Sequence, residues 1–251
     1  MHKALEAPIG DGPSGGTSDL NEWLWQKLSP AADLRALDIG CGFGASLFSL
    51  AKCAPSAQLA GLSLSSYQVR VASREAERSK QSERLRFHHE SFDRFRSDAS
   101  FDLVFSIETL FHAPALNGTL PHLASLLAPA GRVALLEDMA TDESVASSED
   151  GRELLRRWST NHLYTRGDYG RALESAGLRV VEEIDLTGQV PFRSSDQLTV
   201  SSRRLERLRA WMPTAGLRRM IDAFLGGLHL EELYGNGRMN YRCLIASASD
   251  A

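Results

Sequence analysis

The sequence predicts an α/β fold: a seven-stranded, mostly parallel sheet with helices on both faces and a helical lid. Three observations predict it. From Leu34 onward, short apolar runs of strand length alternate with stretches of helical period, the order that builds a parallel sheet with crossover helices. A glycine-rich turn, Gly40-Cys41-Gly42-Phe43-Gly44, stands where the first strand hands over to a helix. A long helical stretch then interrupts the series before a last, alternating strand.

The elements follow in order. Met1 to Gly16 carries Gly10, Gly12, Pro13, Gly15 and Gly16, has poor helix propensity and reads as a leader. Asp19 is placed to cap a helix from Leu20, with Trp23, Leu24 and Leu28 on one side and Pro30 ending it. Strands are expected at Leu34–Ile39, Gln58–Leu64, Leu85–His89, Phe101–Ile107 and Arg132–Glu137, the last introduced by the turn Pro129-Ala130-Gly131. Between them lie helices at Ala45–Lys52, at Ser66 to Lys80, and from Pro121, acceptable in a first turn, to Leu127. Tyr164–Ala176 is expected to be helical and stopped by Gly177, Leu178–Ile184 to be a strand, and Asn240–Ala248 the closing strand. Ser195 to Leu230 reads as two amphipathic helices separated near Pro213 and Gly216. The expected organisation is a leader and cap helix (1–30), a core (31–187 and 237–251) and a helical lid insertion (188–236).

Composition narrows the function classes. With 28 Lys and Arg against 32 Asp and Glu, the formal charge is −4, which gives no electrostatic reason to expect nucleic acid. Arg203, Arg204, Arg207 and Arg209 cluster locally and read as a solvated helix face. Cys41, Cys53 and Cys243 sit in apolar segments and read as buried thiols of a reducing compartment, without the spacing of a disulfide frame or metal site. No run approaches the roughly 20 apolar residues of a membrane span, and the first residues lack the apolar core of a signal peptide. The expectation is a soluble, cytoplasmic protein without stable membrane insertion.

The glycine turn has two readings beyond a plain tight turn. Glycine lets the backbone turn sharply and approach a ligand without a Cβ in the way, and the following helix offers free amides to an anionic carboxylate. Gly40 to Ala45 also fits the loose GxGxxA dinucleotide fingerprint of a nicotinamide-dependent oxidoreductase. Asp38 argues against that: it sets a negative charge where a pyrophosphate would lie, whereas it suits a cationic amino group. The acid a dinucleotide site prefers after the second strand is missing too, since that region reads Gly61-Leu62-Ser63-Leu64-Ser65.

Together, Leu37-Asp38-Ile39-Gly40-Cys41-Gly42-Phe43-Gly44, Ser100-Phe101-Asp102-Leu103-Val104 and Leu126-Leu127-Ala128-Pro129-Ala130-Gly131-Arg132 resemble three motifs, in order, of the class I S-adenosylmethionine-dependent methyltransferases, whose core is Rossmann-like. The resemblance implies S-adenosyl-L-methionine as cofactor, held by the backbone at Gly40 and Gly42, with Asp38 acting through its charge. It implies that Glu90 and Ser91 meet the adenine and that the backbone around Ser106 lines the methionine moiety. One departure matters: many members carry a ribose-binding acid after the second strand, and this chain has Ser63. Gly61 to Gln68 instead resembles the variant in cyclopropane fatty acid synthases and sterol or terpene C-methyltransferases, which implies neutral contacts to the ribose from Ser63 and Gln68, with Leu64 among the cofactor-binding residues.

Methyl transfer is an in-line displacement, so the protein must align the nucleophile and, for a hydroxyl or carbon acid, remove a proton. Ser106-Ile107-Glu108-Thr109-Leu110-Phe111-His112-Ala113 falls at the active edge and is similar to the same stretch of sterol C-methyltransferases and antibiotic sugar O-methyltransferases. Glu108 and His112, four apart, would share one side of a helical turn. His112 is the candidate general base; the alternative is a structural histidine bonding a loop. Glu108 either steadies a carbocation or the sulfonium, or bonds a backbone amide. Glu137 and Asp138 either orient a substrate or cap the next helix, and no metal is expected. Trp23, Trp25, His162 to Tyr164 and Val190 to Tyr234 should carry substrate identity, with His229, Tyr234 and Tyr241 for polar contacts. Leu217, Met220, Phe224 and Leu228 form an apolar face that is either lid core or, as a group, a sign of an apolar or amphipathic acceptor. The expected function is methylation of oxygen or carbon on a small molecule of secondary metabolism, with C-methylation of an isoprenoid alkene through Glu108 as the alternative. A homo-oligomer is compatible with this, and so is a binding module that keeps the fold without turnover.

Overall fold

The computed structural model describes residues 17–248, so the leader expected at Met1 to Gly16 lies outside it. Strands β1 (Arg35–Asp38), β2 (Gln58–Ser63), β3 (Leu85–His89), β4 (Phe101–Ile107), β5 (Leu127–Ala140), β6 (Leu178–Asp185) and β7 (Met239–Ala248) form one sheet. Their order is β3-β2-β1-β4-β5-β7-β6, with β7 antiparallel to both neighbours and every other pair parallel. The chain reverses its direction of travel across the sheet between β1 and β4, and a crevice opens there at the carboxyl ends of the strands.

Period-two alternation sends side chains to two cores. Ala36, Leu103, Phe105, Ala134 and Leu136 pack on one face against α1 (Thr17–Leu28) and α2 (Ala45–Cys53). Leu37, Val104, Val133 and Leu135 face the opposite side, covered by α4 (Leu116–Ala124) and α6 (Arg166–Ser175). Helix α3 (Ser66–Arg78) joins β2 to β3. On α1, Leu20, Leu24 and Leu28 repeat every four residues and are buried together with Trp25, each worth about 1.5–3 kcal/mol of transfer. Helix α1 begins at Thr17, so Asp19 lies within it and not at its cap.

Three expectations change. Pro121 sits inside α4 and does not open it; the helix starts after a separate 3₁₀ turn at Leu110–His112, and the proline forgoes the bond to the carbonyl four residues back and crowds that carbonyl. Pro129-Ala130-Gly131 is a bulge within β5, not a turn before it, because Leu127 faces Phe101 while Arg132 faces Leu103. Cys53 is exposed, whereas Cys41 and Cys243 are buried.

An unpredicted helix, α5 (Glu149–Trp158), starts at Ser148, whose Oγ accepts from Gly151 N at 3.1 Å. It anchors the hairpin of α7 (Ser195–Trp211) and α8 (Ala215–Gly235), which lies between β6 and β7. Arg157 donates to Glu206 and Asp222, and Trp158 Nε1 donates to Ala223 O at 3.0 Å. A Cβ on Gly226 would lie 2.4 Å from Trp158, so glycine permits this close approach. The hairpin has its own small core of Leu198, Ile221, Leu225 and Leu228. The expected apolar face therefore splits: Leu228 is buried while Leu217, Met220 and Phe224 are exposed, because α8 turns the Ile221-Leu225-Leu228 stripe toward α7. No helix among the described residues is long and apolar enough to cross a membrane.

Candidate active site

The crevice between β1 and β4 is a cavity of about 1540 Å³. Gly40, Gly42, Ser63, Leu64, Gln68, Glu90, Glu108 and His112 all line it. Three other predicted residues do not, and each is placed just behind or beside it.

Asp38, at the end of β1, is buried and accepts from Gly40 N at 3.2 Å. Burial pushes its carboxyl up to about 7, and the Gly40 amide partly offsets this. The turn continues through Cys41 N to Leu62 O (2.9 Å) and Gly44 N to Cys41 O (2.7 Å). Gly42 and Gly44 have φ of 52° and 83°, where a side chain is strained. A Cβ at Gly40 would stand 2.0 Å from Thr109 Oγ1, so the β1 and β4 loops can meet only at a glycine.

On the next strand, Ser63 Oγ donates to Gln68 Oε1 at 2.7 Å. The bond joins the last residue of β2 to the first turn of α3, where Ser65 caps the helix by accepting from Gln68 N. Glu90, beyond β3, accepts from Ser91 N at 3.0 Å. Ser91 turns away from the cavity to accept from Asp93 N at 3.3 Å.

After β4 the expected shared helical turn is not formed. Glu108 has φ of 52°, an uncommon conformation for a side-chain-bearing residue and one met at functional sites. It breaks the chain direction, and His112 ends a 3₁₀ turn instead. Both side chains still reach the cavity. Tyr241 Oη, fully buried on β7, donates to Glu108 Oε1 at 2.9 Å. His112 opens to the cavity against the Phe111 ring, 4.1 Å away between centroids, and desolvation lowers its pKa.

Ser106 is wholly buried and donates to Glu137, so the cavity is lined from Ile107 onward. Glu137 also accepts from Thr109 N at 3.1 Å and Leu110 N at 3.2 Å. It holds the loop that carries Glu108 and His112, and burial pushes it up to about 8. Asp138 accepts from Tyr234 Oη, which ties α8 to β5. Neither acid lines the cavity, and no group of three potential ligands among the described residues could hold a metal.

A family model described as a methyltransferase domain matches residues 30–177. The chain belongs to that family. Its members depend on S-adenosylmethionine. Among relatives of this chain, a sterol 24-C-methyltransferase of Debaryomyces hansenii is 27% identical over 175 residues, covering 68% of this chain and 46% of the relative. The O-methyltransferase cnsE of Penicillium expansum is 30% identical over 164 residues, covering 64% of this chain and 57% of the relative. The chain thus spans about half the length of these curated relatives. A solved geranyl diphosphate C-methyltransferase from Streptomyces coelicolor superimposes with a TM-score of 0.74 at 18% identity, over 99% of this chain and 88% of that one. This likeness shows the Rossmann-like fold.

Several contributors to the candidate site escape a sequence reading. Thr109 packs beneath Gly40, and Asn21 and Phe48 line the cavity from α1 and α2. Asn21 and Phe48 stand in no recognisable motif, and Thr109, though inside the stretch from Ser106 to Ala113, is not singled out within it. Trp25 lines the cavity as expected of the first helix, whereas His229 is bound to Asp150 at 2.9 Å outside it.

Proposed function

We propose that this chain transfers the methyl group of S-adenosylmethionine to oxygen or carbon of a small apolar or amphipathic metabolite, with His112 as general base. One observation carries the reading: a single cavity joins the glycine turn and the Ser63–Gln68 pair to Glu108 and His112 through an apolar wall that includes Trp25, Ile39, Phe48 and Phe92. The residues fit the cofactor. The turn at Gly40 leaves no Cβ between backbone and ligand, Ser63 and Gln68 present neutral partners for ribose hydroxyls, and Glu90 stands at the adenine end. Asp38, backing Gly40, supplies the negative field for an amino group.

When bound, S-adenosylmethionine supplies an electrophilic methyl group on a sulfonium. His112, kept neutral by desolvation, takes the proton of an acceptor hydroxyl. Residues 188–236 act as the lid over the acceptor end. A second reading, C-methylation of an alkene, is favoured by the bond from Tyr241 to Glu108. A phenol fixes the carboxylate at the cavity wall, where it would face a cationic carbon.

Calorimetric titration with S-adenosylhomocysteine and NADH tests the cofactor; heat with NADH alone refutes the proposal. Labelled methyl transfer to hydroxyl and alkene acceptors then separates the readings. His112→Ala should abolish O-methylation, and Glu108→Gln should impair alkene methylation more. Full activity in both variants refutes the catalytic assignment.

A further inference from the structure

Leu198 to Leu230 carries six arginines and two acids, in a chain of net charge −4. Both acids are ion-paired: Glu206 bonds Arg157, and Asp222 bonds Arg157 and Arg209. Arg203, Arg204, Arg207 and Arg219 are exposed without an ion-pair partner among the described residues. Exposed Arg218 spends its Nε–H on Met212 O. The same hairpin bares apolar side chains: Trp211 is 84% exposed, Phe224 60%, Met220 52% and Leu208 48%.

Helical period sorts this surface. Leu217, Met220 and Phe224 lie roughly opposite Asp222 around α8. Leu208 and Trp211 lie roughly opposite Glu206 around α7, with Arg204 and Arg207 on their side, whereas Arg203, Arg218 and Arg219 fall within about 60° of the acids. The two acids mark the side of the hairpin that meets α5, so the exposed apolar residues of both helices share the side away from it.

We propose that this side of the α7–α8 hairpin docks on a membrane surface bearing anionic lipids. Arginines beside an aromatic and aliphatic stripe are the composition of an interfacial helix, which lies in the headgroup plane without crossing it. Each cation near such a surface adds to the attraction, and an exposed indole gains from an interface that is apolar at one end and wet at the other. A second copy of the chain is a poorer occupant. Isologous pairing of this face would set like-charged patches against each other. The placement has a consequence that rests on the apolar acceptor proposed above: Ala223, beside Phe224, lines the cavity, so docking brings the acceptor end of the cavity to the lipid.

The test floats the full chain with vesicles of phosphatidylcholine alone and of phosphatidylcholine with phosphatidylserine. Binding is expected to the anionic vesicles only, weakened by salt, with a blue shift of tryptophan emission. Trp211→Phe should remove the blue shift while flotation persists, because Trp211 is the one exposed tryptophan among the described residues. The combined variant Arg204→Gln, Arg207→Gln should lose roughly thirtyfold in affinity and keep its melting temperature, since these side chains have no ion-pair partner to lose. Equal binding to neutral vesicles, binding to neither, or undiminished flotation of the double arginine variant overturns the proposal. So does a dimer that Trp211→Ala dissociates and that excludes vesicles. S-adenosylhomocysteine affinity, measured on the same samples, keeps the two proposals apart: cofactor binding without flotation refutes docking alone, and flotation without cofactor binding refutes methyl transfer alone.

Discussion

Replacing Asp38 by Asn should make the free protein more stable and the cofactor site weaker. Asp38 is buried, and its carboxyl is raised from 3.8 to about 7. Because the folded state then holds a proton that the unfolded state releases, stability falls as pH rises from about 4 through about 7. At about 1.4 kcal/mol per decade, the penalty approaches about 4 kcal/mol at pH 8 and is below about 1 kcal/mol at pH 4. Asn keeps an oxygen for the Gly40 amide, now at 3.2 Å, and carries no charge. The variant should therefore melt roughly 10 °C higher at pH 8, at about 2–4 °C per kcal/mol for a chain of this size, with the gain vanishing toward pH 4. Glu137, pushed up to about 8, gives both proteins a similar slope, so their difference isolates Asp38. Without the carboxylate behind Gly40, S-adenosylmethionine should bind roughly ten- to a hundredfold more weakly, the range of one hydrogen bond or contact to a charged group. Melting curves at pH 4 and 8, with calorimetric titration at pH 8, measure both effects. A variant no more stable at pH 8, or one that binds the cofactor as tightly as the parent, would refute the reasoning.

Tyr241→Phe removes the 2.9 Å bond to Glu108; turnover of an alkene acceptor should fall about tenfold or more while cofactor affinity holds, as titration and initial rates will show. Ser63→Ala and Gln68→Ala each should weaken cofactor binding by about 0.5–1.5 kcal/mol. The double variant should lose less than the sum, because the two side chains bond each other at 2.7 Å. Desolvation lowers the His112 pKa, so the acidic limb of kcat/KM for a hydroxyl acceptor should fall below pH 6.5, the usual histidine value, and vanish with its activity in His112→Ala.

The sheet was legible because each parallel strand needs an apolar run and each crossover a helix, and both leave periodic traces. Leu85–His89 and Phe101–Ile107 end where the pattern places them. Helix α5 also carries local signals, Ser148 before Glu149 and Asp150 and the pair Arg156-Arg157 in the last turn, in a run too short of apolar residues to stand out as an element. Its sequence is mostly charged, and its role rests on Arg157 and Trp158 meeting α8 from sixty-five residues away. Pro121 misled for a related reason: local preference places proline in a first turn, but Leu116, Leu120 and Leu123 bury the helix on both sides of it, and that packing outweighs one lost bond.

The site divides along the same line. Gly40 and Gly42 were readable because a tight turn is a local structure with local residue demands, and Ser63 and Gln68 were pointed to by the resemblance of Gly61 to Gln68. The acids were not. Glu108 and Glu137 are the same residue type, both at the carboxyl edge, and nothing local separates their roles. The sheet separates them. In the β4–β5 register Ile107 faces Leu136, so Glu137 comes directly under the loop that follows β4. There it accepts two backbone amides and the Ser106 hydroxyl, and no acceptor capacity is turned to the cavity. Glu108, held off the helical path by its positive φ, keeps a carboxylate at the cavity wall with Tyr241 behind it. One glutamate builds the loop and the other is displayed by it, so substitutions at the two should differ in kind: Glu137→Ala should lower stability and activity together, whereas Glu108→Gln should lower activity and leave the fold intact.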